Sequence, residues 1–128
     1  MSTELALPSH AMAESMVREL GWDDRLTGHK ISPVVGNMPE ELYTFADAAD
    51  FLHLGSGEQM KIHGNRAHIG YIAPEALKAW LVAQFGDREL ADAIDEALRL
   101  GLNPWMVMEP IREVMQQRLA QIRTVLAA

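Results

Sequence analysis

Apolar residues recur at three- and four-residue intervals over most of this chain. The breaks between runs fall at glycine, proline and capping residues, and this pattern predicts a mostly helical domain. In "HAMAESMVREL", Met12, Met16 and Leu20 share one face, with Ser9 as the candidate N-cap and Gly21 as the stop. Leu42, Phe45, Ala49 and Leu52 define the buried side of a second helix. It starts either with Pro39 at a first-turn position or after Thr44, which has capping-box spacing to Asp47. Pro74 opens a third helix with Leu77, Trp80, Leu81 and Phe85 inward and Gly86 as terminator. Asp87 caps a fourth, whose Leu90, Ile94, Ala97 and Leu98 form a stripe ended by Gly101.

The last predicted helix is the longest. Asn103 and Pro104 supply a cap and first-turn pair, and Met108, Ile111, Met115, Leu119, Ile122 and Leu126 follow at helical intervals. Pro110 has no N–H and clashes with the preceding turn, so it either kinks this helix or marks a true start after Glu109. Run over 104–126, it would be ~34 Å long at ~1.5 Å per residue, a stripe long enough to call for a partner over part of its length.

Extended structure is sparse in the pattern. Residues 22–37, "WDDRLTGHKISPVVGN", are rich in turn formers, and only "KISPVV" is strand-like, an edge at best because of Pro33. In "GEQMKIHGNRAHIGYIAP", residues 57–74, two readings stay open. Ser56 and Gln59 have capping-box spacing for a short helix stopped by Gly64; alternatively "QMKI" and "AHIGYI" are two strands joined at "HGNR". Ile62, Ile69, Tyr71 and Ile72 favour the hairpin. The expected fold class is therefore mostly α with a small β-hairpin (α+β), built from four to five amphipathic helices with a long C-terminal one. Residues 1–8 are expected to form a disordered tail and residues 9–128 a single compact domain.

Composition narrows the chemistry. The 128 residues, 48% of them hydrophobic, suit one domain with a continuous core. There is no cysteine, which excludes disulfides, thiolate metal sites and thiol nucleophiles. The N-terminal stretch has no basic region followed by an apolar run, and about 18 consecutive apolar residues occur nowhere, so the expected location is the cytoplasm, without a membrane span. The net charge of -7 is unevenly spread. Residues 1–52 have nine acids against three basic residues (3 − 9 = −6), residues 53–86 two against three (+1), and the remainder seven against five (−2). An acidic surface repels phosphate backbones, which disfavours nonspecific nucleic-acid binding.

Candidate catalytic and metal groups are weak. His53, His63 and His68 lie within sixteen residues, but His63 and His68 are five apart, on different sides of a helix and opposite faces of a strand. Solvated or capping histidines are the simpler account. "GSG" around Ser56 lacks the strand, G-x-S-x-G and helix of a nucleophile elbow, and also the Lys-Ser or Lys-Thr of a phosphate loop. No cofactor and no metal is implied, and an enzyme is the weaker reading. Eight methionines are mainly core candidates. In "NPWMVMEP", however, Trp105, Met106, Val107 and Met108 are consecutive and cannot all point inward from one helix, so at least one should face a partner.

"TFADAADFLHL" (44–54) and "YIAPEALKAWL" (71–81) together resemble the small excisionase-type winged-helix DNA-binding domains. In those domains a short helix is followed by a turn, a recognition helix, a hairpin wing and a helix with an Ile-Pro-x-x-Ala-Leu-x-x-Trp-like opening. The resemblance covers about 38 residues and implies nucleic-acid contacts from Gln59, Lys61, His63, Arg66 and His68. Against it, few basic residues are available and Asp47 and Asp50 lie on the preceding helix.

The reading that follows is a small regulatory or accessory protein acting through protein-protein contacts and self-associating, as a homodimer, through its C-terminal helix. Trp105, Met106, Met108, Ile111 and Met115 would be its apolar anchors, and Arg112, Arg118 and Arg123 its polar rim. A DNA-binding protein is the alternative, and a histidine-based metal protein or enzyme the third.

Overall fold

Local capping chemistry sets the element boundaries of the computed structural model, which describes residues 5–32, 36–52, 69–103 and 106–127. Helix α1 (His10–Met16) starts where the Ser9 hydroxyl accepts the Met12 N–H at 3.1 Å. It stops at Val17, earlier than its apolar period suggested, and Leu20 is buried from the loop beyond, its N–H bonded to the Tyr43 carbonyl at 2.8 Å. Of the two predicted starts for the second helix the structure takes the later: α2 (Phe45–Phe51) is capped by Thr44, whose hydroxyl accepts the Asp47 N–H at 2.9 Å.

Pro39 instead lies in a strand. Strands β1 (Leu26–Ser32) and β2 (Gly36–Leu42) pair antiparallel from Leu26↔Leu42 to Ser32↔Gly36, and β3 (Ile69–Tyr71) adds antiparallel to the other side of β1. The sheet order is β2-β1-β3, so the segment read as mostly turns supplies the central strand. The strand's period is hidden in the sequence because the inward positions of β1 alternate through a glycine. Leu26 and Gly28 are buried while Thr27 and His29 are not. A Cβ on Gly28 would lie 2.5 Å from Cε2 of Phe51, so the strand can cross the Phe51 ring only because the residue there has no side chain. Pro39 lies in β2, where a missing N–H costs the sheet least if it points outward. Of the hairpin predicted within residues 57–74, only residues 69–74 are described, and Ile69–Tyr71 among them pair with β1.

Helix α3 (Pro74–Phe85) begins on its proline and ends at Gly86, whose φ of 67° permits bonds from Gly86 N–H to the Val82 carbonyl and from Asp87 N–H to the Leu81 carbonyl. Asp87 then caps α4 (Arg88–Leu98), accepting the Leu90 N–H at 3.1 Å. Helix α5 (Met108–Ala127) follows a connector in which the Asn103 side-chain oxygen accepts the Met106 N–H at 2.8 Å. Pro110 falls in the first turn of α5, where its absent N–H would have had no intrahelical partner, so this proline belongs to the helix start.

These elements are five helices, one 3-10 turn (Trp22–Asp24) and a three-stranded antiparallel sheet among the described residues, a mixed α+β fold with a long C-terminal helix. Helix α5 packs against α1, α2 and α4, and α4 against α3, while the sheet lies against α2 and α3. One core cluster runs from Leu5 to Ile122. Phe85 is met edge-on by Trp80 at 5.1 Å and by Phe45 at 6.3 Å between ring centroids, which joins α2 to α3. The Trp80 indole N–H reaches the Asp24 carbonyl at 2.8 Å and ties α3 to the turn before β1.

Candidate interaction surface

The predicted anchors separate into two groups once α5 is placed. Met108, Ile111 and Met115 are each 0% exposed, packed in the domain's own core with Val114, Leu119 and Ile122. The C-terminal stripe is covered from within because α1, α2 and α4 surround it, so these three residues have no surface to offer a partner in this fold. Met106 is 50% exposed and Arg112 exposed, while Trp105 lies outside the described residues. Of the consecutive apolar run, Met106 points out and Val107 and Met108 point in.

Arg118, expected on the rim, is 1% exposed. Its guanidinium makes a two-pronged pair with Asp87, Nε to Oδ2 at 2.9 Å and Nη2 to Oδ1 at 3.2 Å. It also donates to Glu89 Oε1, Gln121 Oε1 and the Ala6 carbonyl, each at 2.8 Å. Such a pair contributes little against an apolar substitute, but loss of one partner strands a buried charge. Arg123 stays exposed.

The tail expected over residues 1–8 is described from Leu5 onward, and there it is tied down. Leu5 and Pro8 are buried, and the main chain of Leu5 and Ala6 is bonded to side chains of α4 and α5.

The connector between α4 and α5 gathers exposed apolar side chains. Leu100 is 63%, Leu102 38% and Met106 50% exposed, all within seven residues and turned by Gly101 at φ 74°. Arg99 before it and Arg112 after it are exposed and charged. Elsewhere, Trp22 is 59% exposed but covered on one face by the Arg25 guanidinium, 3.5 Å from the ring centroid. Arg25 also binds Glu41 at 2.6 Å, and Thr27 donates to the same carboxylate at 2.9 Å. The Thr27 hydroxyl and Arg25 hold the Glu41 carboxyl below its ordinary value against the opposing effect of burial.

The residues assigned to nucleic-acid contact, Gln59, Lys61, His63, Arg66 and His68, lie outside the described residues, as does His53. Among the described residues no group of three or more histidines or carboxylates is placed to hold a metal ion, and no helix is long and apolar enough to cross a membrane. Lys78, on α3, is held above its ordinary ammonium value by bonds to Asp95 and then Glu75. No protein family, no curated protein and no solved structure matches the chain.

Proposed function

We propose that this chain is a small accessory protein that works by protein-protein contact, and that the contact is made by the α4–α5 connector pairing with the same connector of a second copy. The observation that carries this reading is the run of three exposed large apolar side chains, Leu100, Leu102 and Met106, in one short connector. Water-exposed apolar groups gathered in sequence cost solvation that an isologous contact removes, and a two-fold pairing needs only one such patch per molecule. Arg99 and Arg112 flank the patch and supply a polar rim. Because the α5 stripe is occupied by the core, the surface available for self-association is narrower than the whole helix.

Sedimentation over a concentration series tests the reading. Wild type is expected to show a concentration-dependent dimer, and Leu100→Asp/Met106→Asp to shift its dissociation constant upward by about tenfold or more, at about 1.4 kcal/mol per decade. Both changed residues are exposed, so the far-ultraviolet circular dichroism of the variant should match wild type. Monomeric behaviour of both proteins across the series would sink the proposal.

A further inference from the structure

The chain has no cysteine, so its only sulfur is the thioether of methionine, a soft group that peroxides oxidise. The described methionines divide by access. Met16, Met108 and Met115 are at most 1% exposed and Met12 packs partly buried against the core, whereas Met38 and Met106 are 49% and 50% exposed. Met106 and Met108 stand two residues apart on opposite sides of that division, and the backbone fixes the difference. The Met106 N–H donates to Asn103 Oδ1 at 2.8 Å and its carbonyl accepts the Glu109 N–H at 3.2 Å, which holds the residue at the mouth of α5. Val107 and Met108 beyond it are 3% and 0% exposed. A small oxidant therefore reaches the Met106 side chain without any opening of the core.

We propose that Met106 is a reversible oxidation site whose sulfoxide releases the contact made by the α4–α5 connector, an inference that rests on the self-association proposed above. Hydrogen peroxide supplies the oxygen. The thioether sulfur attacks one peroxide oxygen, an S–O bond forms as the O–O bond breaks, and the other oxygen leaves as water; sulfur loses two electrons and the peroxide gains them. A dithiol reverses the step with a sulfoxide reductase as catalyst, ending as a disulfide while the sulfoxide oxygen departs as water. The effect on association follows from the setting. Met106 completes the apolar run with Leu100 and Leu102, and its sulfoxide puts a hydrogen-bonding oxygen where a paired patch excludes water. In an isologous contact each copy brings the same residue, so a fully oxidised pair carries the defect twice. Association in turn covers the site, so oxidation runs through the monomer and its product keeps the chain there. Met38, on β2, matches Met106 in exposure but lies outside the connector, and so undergoes the same chemistry without the consequence.

The full chain is treated with dilute hydrogen peroxide. Mass spectrometry of its peptides reads sulfoxide at each methionine, and sedimentation reads the dissociation constant before and after. Met106 and Met38 should oxidise first, with Met16, Met108 and Met115 slower by more than about tenfold because they react only through local opening. The ratio of Met106 to Met38 sulfoxide should fall as protein concentration rises through the dissociation constant. Oxidation should raise that constant about tenfold in wild type and in Met38→Leu, the cost of making one buried side chain polar. Sulfoxide reductases for both epimers, with dithiothreitol, should restore it. Met106→Leu, compared with its own untreated form, should not respond. Oxidation of buried and exposed methionines at equal rates overturns the site. An unmoved dissociation constant with Met106 oxidised, or an equal response in Met106→Leu, refutes the switch and leaves the contact standing. Untreated protein that is monomeric at every concentration removes the contact itself, and the switch with it.

Discussion

Asp87 performs two tasks with one carboxylate. Directly after the left-handed Gly86 that ends α3, it caps α4 through the Leu90 N–H and receives two bonds from Arg118 while 0% exposed. The cap was readable from local sequence, since a short acidic side chain between a glycine terminator and an apolar period has few other uses. The ion pair was not, because its partner lies thirty-one residues away and no local rule links them. Arg118 nevertheless sits at helical spacing from Ile111, Met115 and Ile122, so the burial of its position was implicit in a wide apolar stripe. Arg118→Leu should lower stability in urea by about 3–5 kcal/mol, because it leaves the Asp87 charge buried and unpaired. Adding Asp87→Asn to that variant removes the stranded charge and keeps a capping oxygen, so the double variant should be more stable than the single. A double variant less stable than Arg118→Leu would mean that the pair is not what holds Asp87 in place.

At the scale of elements, helices with terminal signals were legible and strands were not. Ser9, Thr44, Pro74, Gly86 and Asp87 all act where the sequence placed them. Strand β1 hides its period behind Gly28, and β2 is exposed from Gly36 to Pro39, so neither shows the apolar alternation that marks a half-buried strand. What holds β2 to β1 is partly electrostatic, through Glu41 on Thr27 and Arg25 and through Lys30 on Glu40 at 3.2 Å. The α3–α4 corner is braced similarly by Lys78 on Asp95. The two braces fail at opposite ends of the pH scale. Glu41 titrates lower when folded, so its contribution is complete above the ordinary carboxylate value of 4.5 and disappears as pH falls through the folded one. Lys78 titrates higher when folded, so its contribution is complete below 10.5 and disappears as pH rises through the folded value. Thermal midpoints measured across pH should therefore fall less steeply on the acid side in Glu41→Gln, and less steeply on the alkaline side in Lys78→Met, than in wild type. Equal slopes for wild type and both variants would remove these groups from the stability of the fold.

For the molecule as a whole, the decisive fact is that one apolar cluster includes the N-terminal Leu5, the strand residues Leu26 and Leu42, all five helices and Ile122 near the end of α5. Among the described residues no group of elements has a core of its own, and the sheet is roofed by helices α2 and α3, which are themselves tied to α5 and α4. A chain organised this way loses nearly all its burial if any layer leaves, which is the condition for unfolding in one step. Trp80 is placed to report on it. It is 6% exposed, packed edge-on against Phe85 and bonded to the Asp24 carbonyl, so it senses the joint between the sheet end and α3. With Trp22→Phe and Trp105→Phe removing the other indoles, Trp80 fluorescence and helical circular dichroism should trace one urea transition with a common midpoint and a slope of ~1–3 kcal/mol/M. A fluorescence midpoint well below the helical one would show that the sheet and its turn detach first, leaving α1, α4 and α5 as a smaller unit. Against that outcome stands the shared core: Leu26 and Leu42 of the sheet and Trp80 and Phe85 of α3 belong to the same apolar cluster as Leu90, Ile94, Met115 and Ile122, so a unit of α1, α4 and α5 alone would expose the faces they cover.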